Sequence, residues 1–332
     1  MLAFTGLSVQ LEVERPQCVV QHGLTTGNPA FIDHVVLTHN DGDHAGGLAA
    51  VLESFRVGAL WMLRPWLYAE ELLPRFARFT SAENLRRRLR ALYPNIASLE
   101  ELALAKGIPI FEPLQGLRIG AFTVLAPSKN RYIELILSSD RTPEVVPEEE
   151  TLLEAFTRAL GNVAAKAITL VRSAWGAEVF PSDETSAENE MSVVQFALLN
   201  GHKILLTADS GRGGLDEAIR YAPFAGLVLP GIDMFQVPHH GSRRNVSTEI
   251  LNRLLGPILP ATPVVPKFSA FVSSAKADEA HPRKAVVRAM QHRGGSVLTT
   301  EGKNVYAFSV LSVILWARRF RTFIPSVSPW PV

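Results

Sequence analysis

Thr38-His39-Asn40-Asp41-Gly42-Asp43-His44-Ala45-Gly46-Gly47 decides the fold. An apolar, β-branched run, His34-Val35-Val36-Leu37-Thr38, leads into it, and Gly46-Gly47-Leu48-Ala49-Ala50-Val51-Leu52 leads away from it. That order predicts a strand, a polar loop and then a helix. The loop carries His39, Asp41, Asp43 and His44. Imidazole and carboxylate together suit zinc, manganese or iron. Two carboxylates and two imidazoles in one turn repel and resist desolvation unless a cation compensates them. A polar surface loop with incidental histidines is the weaker reading, because the strand in front is apolar enough to be buried.

Further residues of the same chemistry follow, each behind an apolar run. Asn189 to Leu198 reads as a strand, Asn200-Gly201 as a hairpin turn, and Lys203-Ile204-Leu205-Leu206 as a strand running out into Asp209. Met234-Phe235-Gln236-Val237 then ends in Pro238-His239-His240-Gly241-Ser242-Arg243-Arg244. Finally, Ala280-His281-Pro282-Arg283-Lys284 opens a helix with proline in its first position. These donors exceed what one metal needs.

The loop pattern His-x-Asp-x-Asp-His-x-Gly-Gly resembles the signature of the metallo-β-lactamase superfamily, in particular the hydrolase domain of the ComEC-type competence proteins, where aspartate fills the second position as Asp41 does here. The Asn-x-x-Ser-Val-Val hairpin leading to Leu-Leu-Thr-x-Asp209, the His-His-Gly-Ser motif at His239 and the His281-Pro282 element resemble the same branch. The resemblance implies an α/β fold, an αββα sandwich of two mixed sheets with outer helices, opening on a parallel βαβ unit. It implies two divalent metal ions, zinc or manganese. His39 and Asp41 would hold one metal; Asp43, His44 and a histidine of the His239-His240 pair would hold the other; Asp209 would bridge them. Asp43, His240 and His281 take the catalytic positions, with a metal-bridging hydroxide as nucleophile. Ser242, Arg243 and Arg244 would meet a substrate phosphate, with Arg283 and Lys284 as further phosphate-suited groups. The arginines between Arg86 and Arg90 read as a solvated helix face.

The 332-residue length admits one hydrolase domain over residues 1–310, with an insertion at about 128–189 and a tail at 311–332. A formal net charge of +1 excludes a global polyanion-binding surface, so nucleic acid would have to be met by a local patch. The single Cys18 excludes an intrachain disulfide and a cysteine-based zinc site. No signal peptide opens the sequence, and Val305 to Ala317 is too short an apolar run to span a bilayer, so it reads as core strand. A cytoplasmic protein without membrane contact is expected. Leu7 to Val13 should form an opening strand, although the Asp-x-Gly turn usual in the superfamily is missing there. Helices are expected between Pro65 and Lys106, one of them capped by Ser98, and again at Glu148 to Phe156. Arg118 to Pro127 reads as one strand.

The function expected is a metal-dependent phosphodiesterase or nuclease acting on DNA or another phosphodiester. Two alternatives stand beside it. One is hydrolysis of a small phosphoester, lactone or amide on the same centre. The other is a regulatory module that docks a protein partner through the 128–189 insertion and keeps only a vestigial metal site.

Overall fold

A computed structural model describes residues 31–142, 178–274 and 281–300, with the side chains of residues 42–44 excepted. The expectations on Leu7 to Val13, Cys18, Glu148 to Phe156 and everything beyond Thr300 lie outside the described residues.

The chain enters on β1 (Phe31–Val36), turns through the signature loop into α1 (Gly42–Ser54) and returns on β2 (Arg56–Trp61). β1 and β2 pair in parallel, and β3 (Ile110–Phe111) adds to β2, also in parallel. This is the expected βαβ unit, buried because a parallel crossover lays its helix on the sheet. α1 starts at Gly42, so Asp43 and His44 fall in its first turn. Leu48, Val51 and Leu52 of α1 pack with Val35, Val36 and Leu60 of the strands in one apolar cluster. Each such side chain contributes roughly 1.5–3 kcal/mol on burial.

Between β2 and β3 come α2 (Ala69–Leu72), α3 (Ala82–Leu92) and α4 (Pro94–Ala105). α3 and α4 bury Leu85, Leu89, Ile96, Leu99 and Ala103 in the same cluster. The cap expected at Ser98 is not one: α4 begins at Pro94, whose fixed φ suits a first helical position, so Ser98 lies inside the helix. Arg86 and Arg90 form a charged face, paired with Glu83 and with Glu100 and Glu101 respectively. The strand expected over Arg118 to Pro127 is a hairpin, β4 (Arg118–Ile119) and β5 (Phe122–Ala126). The break falls at Gly120, whose φ of +58° a side chain would resist.

Residues 129–138 begin the expected insertion but belong to the core. α5 (Lys129–Ser138) buries Tyr132, Leu135, Ile136 and Leu137, and its N-cap Ser128 accepts a hydrogen bond from the Arg131 amide. After Glu178 the chain passes through α6 (Ala187–Glu190) into the second sheet. That sheet has the order β10-β9-β8-β7-β6-β5-β4. β6 (Val194–Leu199) and β7 (His202–Leu206) form the antiparallel hairpin around Asn200-Gly201. β7, β8 (Met234–Gln236), β9 (Phe268–Val272) and β10 (Gly295–Thr299) run parallel to one another. α7 (Arg212–Tyr221), α8 (Thr248–Leu255) and α9 (Lys284–His292) cover one face, where Leu215, Leu251, Leu254, Val286 and Met290 meet Phe235, Ala270 and Val272. Two sheets with helices packed on them are what the resemblance implies.

Pro282 does not open α9 as expected. Arg283 is its N-cap, held extended while its amide donates to the Gly241 carbonyl at 3.2 Å. The carboxyl end of β1 meets the second sheet at the amino end of β6 and the carboxyl end of the antiparallel β7, where the Val193 amide, just before β6, donates to the Thr38 carbonyl at 3.0 Å. That one bond sets the loop after β1 beside the ends of β6 and β7.

Candidate metal centre

His39 leaves β1 fully buried, its Nδ1 3.2 Å from the Thr38 hydroxyl. Its Nε2 stands 3.8 Å from Asp41 Oδ2 and 3.8 Å from Asp209 Oδ2. Asp41 occupies the N-cap of α1, yet its carboxylate caps no amide of that helix. An aspartate there ordinarily accepts from the amides of the first turn. Here Oδ1 instead accepts from Arg141 Nη2 at 3.0 Å while Oδ2 turns toward His39. The calls to metal made of Asp43 and His44 fall on side chains outside the described residues.

Asp209 follows β7 and is almost wholly buried. The turn that presents it is locked by Gln236, whose side-chain oxygen accepts from the Thr207 and Ala208 amides at 3.0 and 3.1 Å. Ala208 adopts φ +47°. The His239 amide donates to the Ala208 carbonyl at 3.1 Å, which brings the loop after β8 alongside. There His239 and His240 adopt φ +47° and +53°, and Gly241 +84°. Left-handed backbone costs a non-glycine residue about 1–2 kcal/mol. Three such residues, Ala208, His239 and His240, therefore surround Asp209, a concentration typical of sites where side-chain aim outweighs local comfort.

The aim is specific. Asn245 Nδ2 donates to the carbonyls of Asp209 and Ser210 at 2.7 and 3.3 Å, which turns its Oδ1 toward His239 Nδ1 at 3.0 Å. Nδ1 also lies 3.4 Å from Asn189 Nδ2, but the shorter contact is to the Asn245 oxygen, which only accepts; with the proton on Nδ1 to meet it, the lone pair of neutral His239 sits on Nε2. Nε2 lies 3.7 Å from Asp209 Oδ2. A nitrogen lone pair facing a carboxylate oxygen is unfavourable without positive charge between them. A ring whose far N–H is held by an oxygen acceptor is also the usual arrangement of a metal-binding histidine. Donor atoms on a tetrahedral ion at about 2.0–2.2 Å lie roughly 3.4 Å apart. The separations around Asp209 Oδ2 are a few tenths of an ångström wider, so the donors fit a cation in chemistry and approximate spacing. Among the described residues, no group of three or more His, Cys, Asp or Glu side chains by itself meets the requirements of a metal site.

His240 is oriented differently. Its Nδ1 donates to the Ser273 carbonyl at 2.8 Å, leaving Nε2 as the second functional nitrogen. The His281 ring stacks on that of His239 at 6.2 Å and meets that of His240 edge-on at 6.5 Å. Gly241 makes this packing feasible, because a Cβ there would lie 2.7 Å from Pro282 Cβ. His39, Asp41, Asp209, His239, His240 and His281 are thus brought together. Ser242 is buried and its hydroxyl accepts from the Arg244 amide at 3.3 Å, which serves the turn. Arg243, Arg244, Arg283 and Lys284 are exposed, and Arg244 lies 3.8 Å from Asp183.

The residue reading missed Arg141, Asn245, Glu188 and Tyr93. Tyr93 is buried beneath the Arg141 guanidinium, and burial pushes its hydroxyl up to about 12. Burial lowers the Arg212 guanidinium below its ordinary value, despite the nearby carboxylates of Glu184, Glu190 and Asp183. Arg212 clamps the loops beside the site through the carbonyls of Val246 and Pro181. Asn245, close behind the His-His-Gly-Ser motif, and Glu188, directly before the Asn189 hairpin motif, lay near a sequence signal.

Among the described residues no helix is long and apolar enough to cross a membrane. No curated protein matches the chain. Residues 25–112, which hold β1, the signature loop, α1 and the helices up to β3, match the family model of the metallo-beta-lactamase superfamily, and that match suggests a metal-dependent hydrolase.

Proposed function

We propose that the chain is a metal-dependent phosphodiesterase of nuclease type, acting on DNA or another phosphodiester. One observation carries the reading: a single carboxylate oxygen, Asp209 Oδ2, stands between the Nε2 atoms of His39 and His239 at 3.8 and 3.7 Å, one histidine from each sheet. His39, Asp41, Asp43, His44, Asp209 and His239 would hold two divalent ions, zinc or manganese. Asp41 in place of a histidine tilts the first position toward manganese. Such ions, when bound, polarise a phosphoryl group and make water acidic enough to attack near neutral pH.

The chain's own groups supply the rest. His240, with Nδ1 committed to the Ser273 carbonyl, offers Nε2 for proton exchange with the departing oxygen. His281, half-buried against both imidazoles, lines the rim where a phosphate would lie. Asp43 is proposed as a ligand that also orients the attacking water. The exposed Arg243, Arg244, Arg283 and Lys284 give that rim the positive charge a phosphodiester backbone prefers. ComEC-type hydrolase chemistry is the specific form of this reading.

The test is incubation of purified protein with single-stranded DNA, double-stranded DNA and bis(p-nitrophenyl) phosphate, each with Mn²⁺ or Zn²⁺ and with chelator. Metal-dependent cleavage that chelator abolishes is expected. A protein loaded with two metals that cleaves none of the three overturns the phosphodiesterase reading.

A further inference from the structure

Arg141 follows α5 in a turn built for rigidity. The buried Thr142 hydroxyl donates to the Ile136 carbonyl at 2.5 Å, and the Arg141 amide donates to the buried Ser139 hydroxyl at 3.1 Å. The turn fixes where the Arg141 side chain leaves the backbone. Nη2 donates to Asp41 Oδ1 at 3.0 Å, Nε lies 3.6 Å from Glu188 Oε1, and the group sits 5.8 Å over the Tyr93 ring. Glu188 is itself held, accepting from the Ser139 hydroxyl.

We propose that Arg141 is a positioning residue for Asp41: it takes one carboxylate oxygen, Oδ1, and so presents the other, Oδ2, on the His39 side as a one-oxygen metal donor. The Asp41 N-cap geometry agrees, since the carboxylate forgoes the helix amides that would otherwise take it. Binding of substrate phosphate by Arg141 is the competing role. The donors it would need are already engaged, Nη2 by Asp41 and Nε beside Glu188, so an anionic ligand would have to displace a carboxylate. The inference rests on the metal-centre reading above and adds a residue from outside the ligand motifs to it.

The experiment compares wild type with Arg141→Gln and Arg141→Lys by chelator-competition titration with Mn²⁺ and Zn²⁺ on the full chain, with thermal unfolding alongside. Groups that hydrogen-bond a metal ligand typically change affinity 10–100-fold when removed. Arg141→Gln is expected to weaken one metal equivalent by about that factor and leave the other unchanged, with Arg141→Lys recovering part of the loss. In an Asp41→Asn background, Arg141→Gln should add nothing further. Unchanged metal affinity with a raised KM for bis(p-nitrophenyl) phosphate overturns the proposal in favour of a substrate-binding arginine. Equal or tighter metal binding in Arg141→Gln without a KM change also overturns it. Wild-type protein that takes up no metal overturns the metal-centre reading, and the proposal falls with it.

Discussion

His39 and Asp41 reach the site along one continuous strand-to-helix segment, whereas Asp209 and His239 reach it from the ends of two strands of the other sheet. The first arrangement is local. A strand end and a helix start fix its two donor side chains two residues apart, and the backbone is ordinary, with Asp41 at φ −73°. The second is assembled. It needs left-handed backbone at Ala208, His239 and His240, the Gln236 lock on the Asp209 turn and the Asn245 bridge between Asp209 and His239. A local pair of donors can be spelled by spacing alone. An assembled pair needs supporting groups, and those groups make this half the more sensitive to change.

Asp209 belongs to both halves, because its Oδ2 faces a histidine from each. Asp209→Ala is therefore expected to have the largest effect, reducing bound metal below one equivalent and cleavage on the order of 1000-fold, beyond the roughly 10–100-fold typical of groups that only support a ligand. Asp41→Ala, confined to the local half, should retain one equivalent. Elemental analysis of both variants measures this. Two full equivalents in Asp209→Ala would end the idea that the halves meet at that carboxylate.

Asn245→Ala attacks the assembled half through its support. Asn245 is fully buried, and its loss leaves the Asp209 carbonyl and His239 Nδ1 without their bridge. Metal affinity should fall about 10–100-fold and stability by about 1–3 kcal/mol. Gly241→Ala places a Cβ 2.7 Å from Pro282 at φ +84°. Backbone strain of this kind costs on the order of 1–3 kcal/mol, read as a drop of several degrees in Tm, with His281 displaced from its neighbours. A Gly241→Ala protein as stable as wild type would show that the loop relaxes freely and that its aim is not built in.

The difference between the halves also governs what the sequence revealed. The parallel βαβ unit and the placing of His39, Asp41 and Asp209 just beyond strand ends were legible because apolar periodicity locates the strands and polar residues follow where the strands stop. The hairpin at Asn200-Gly201 was legible from its turn residues. Arg141 was not, since it lies 100 positions from Asp41 and meets it only through packing of α5. The tautomer of His239 was hidden as well, because it depends on which way an asparagine amide points. The start of the expected insertion, α5, packs into the core because Tyr132, Leu135 and Ile136 form a buried face among polar neighbours that hide it in the sequence.

Tyr93 offers the mildest probe of the local half. Its ring lies under Arg141, its hydroxyl donates to Ser139 at 3.4 Å, and the residue is buried. Burial is the main cause that pushes its pKa up to about 12, opposed by the Ser139 hydrogen bond. In the unfolded chain a tyrosine titrates near 10. The folded state thus favours the neutral phenol, and the stability this confers is complete below about pH 10 and lost as pH rises through about 12. Tyr93→Phe keeps the ring and removes the titration. At pH 7 it should change stability by no more than about 1 kcal/mol, the worth of one ordinary hydrogen bond. Between pH 9 and 12 its urea-unfolding stability should decline less steeply than that of wild type. Identical slopes in the two proteins would mean that Tyr93 ionises as readily folded as unfolded, and that its hydroxyl is less buried than its geometry implies.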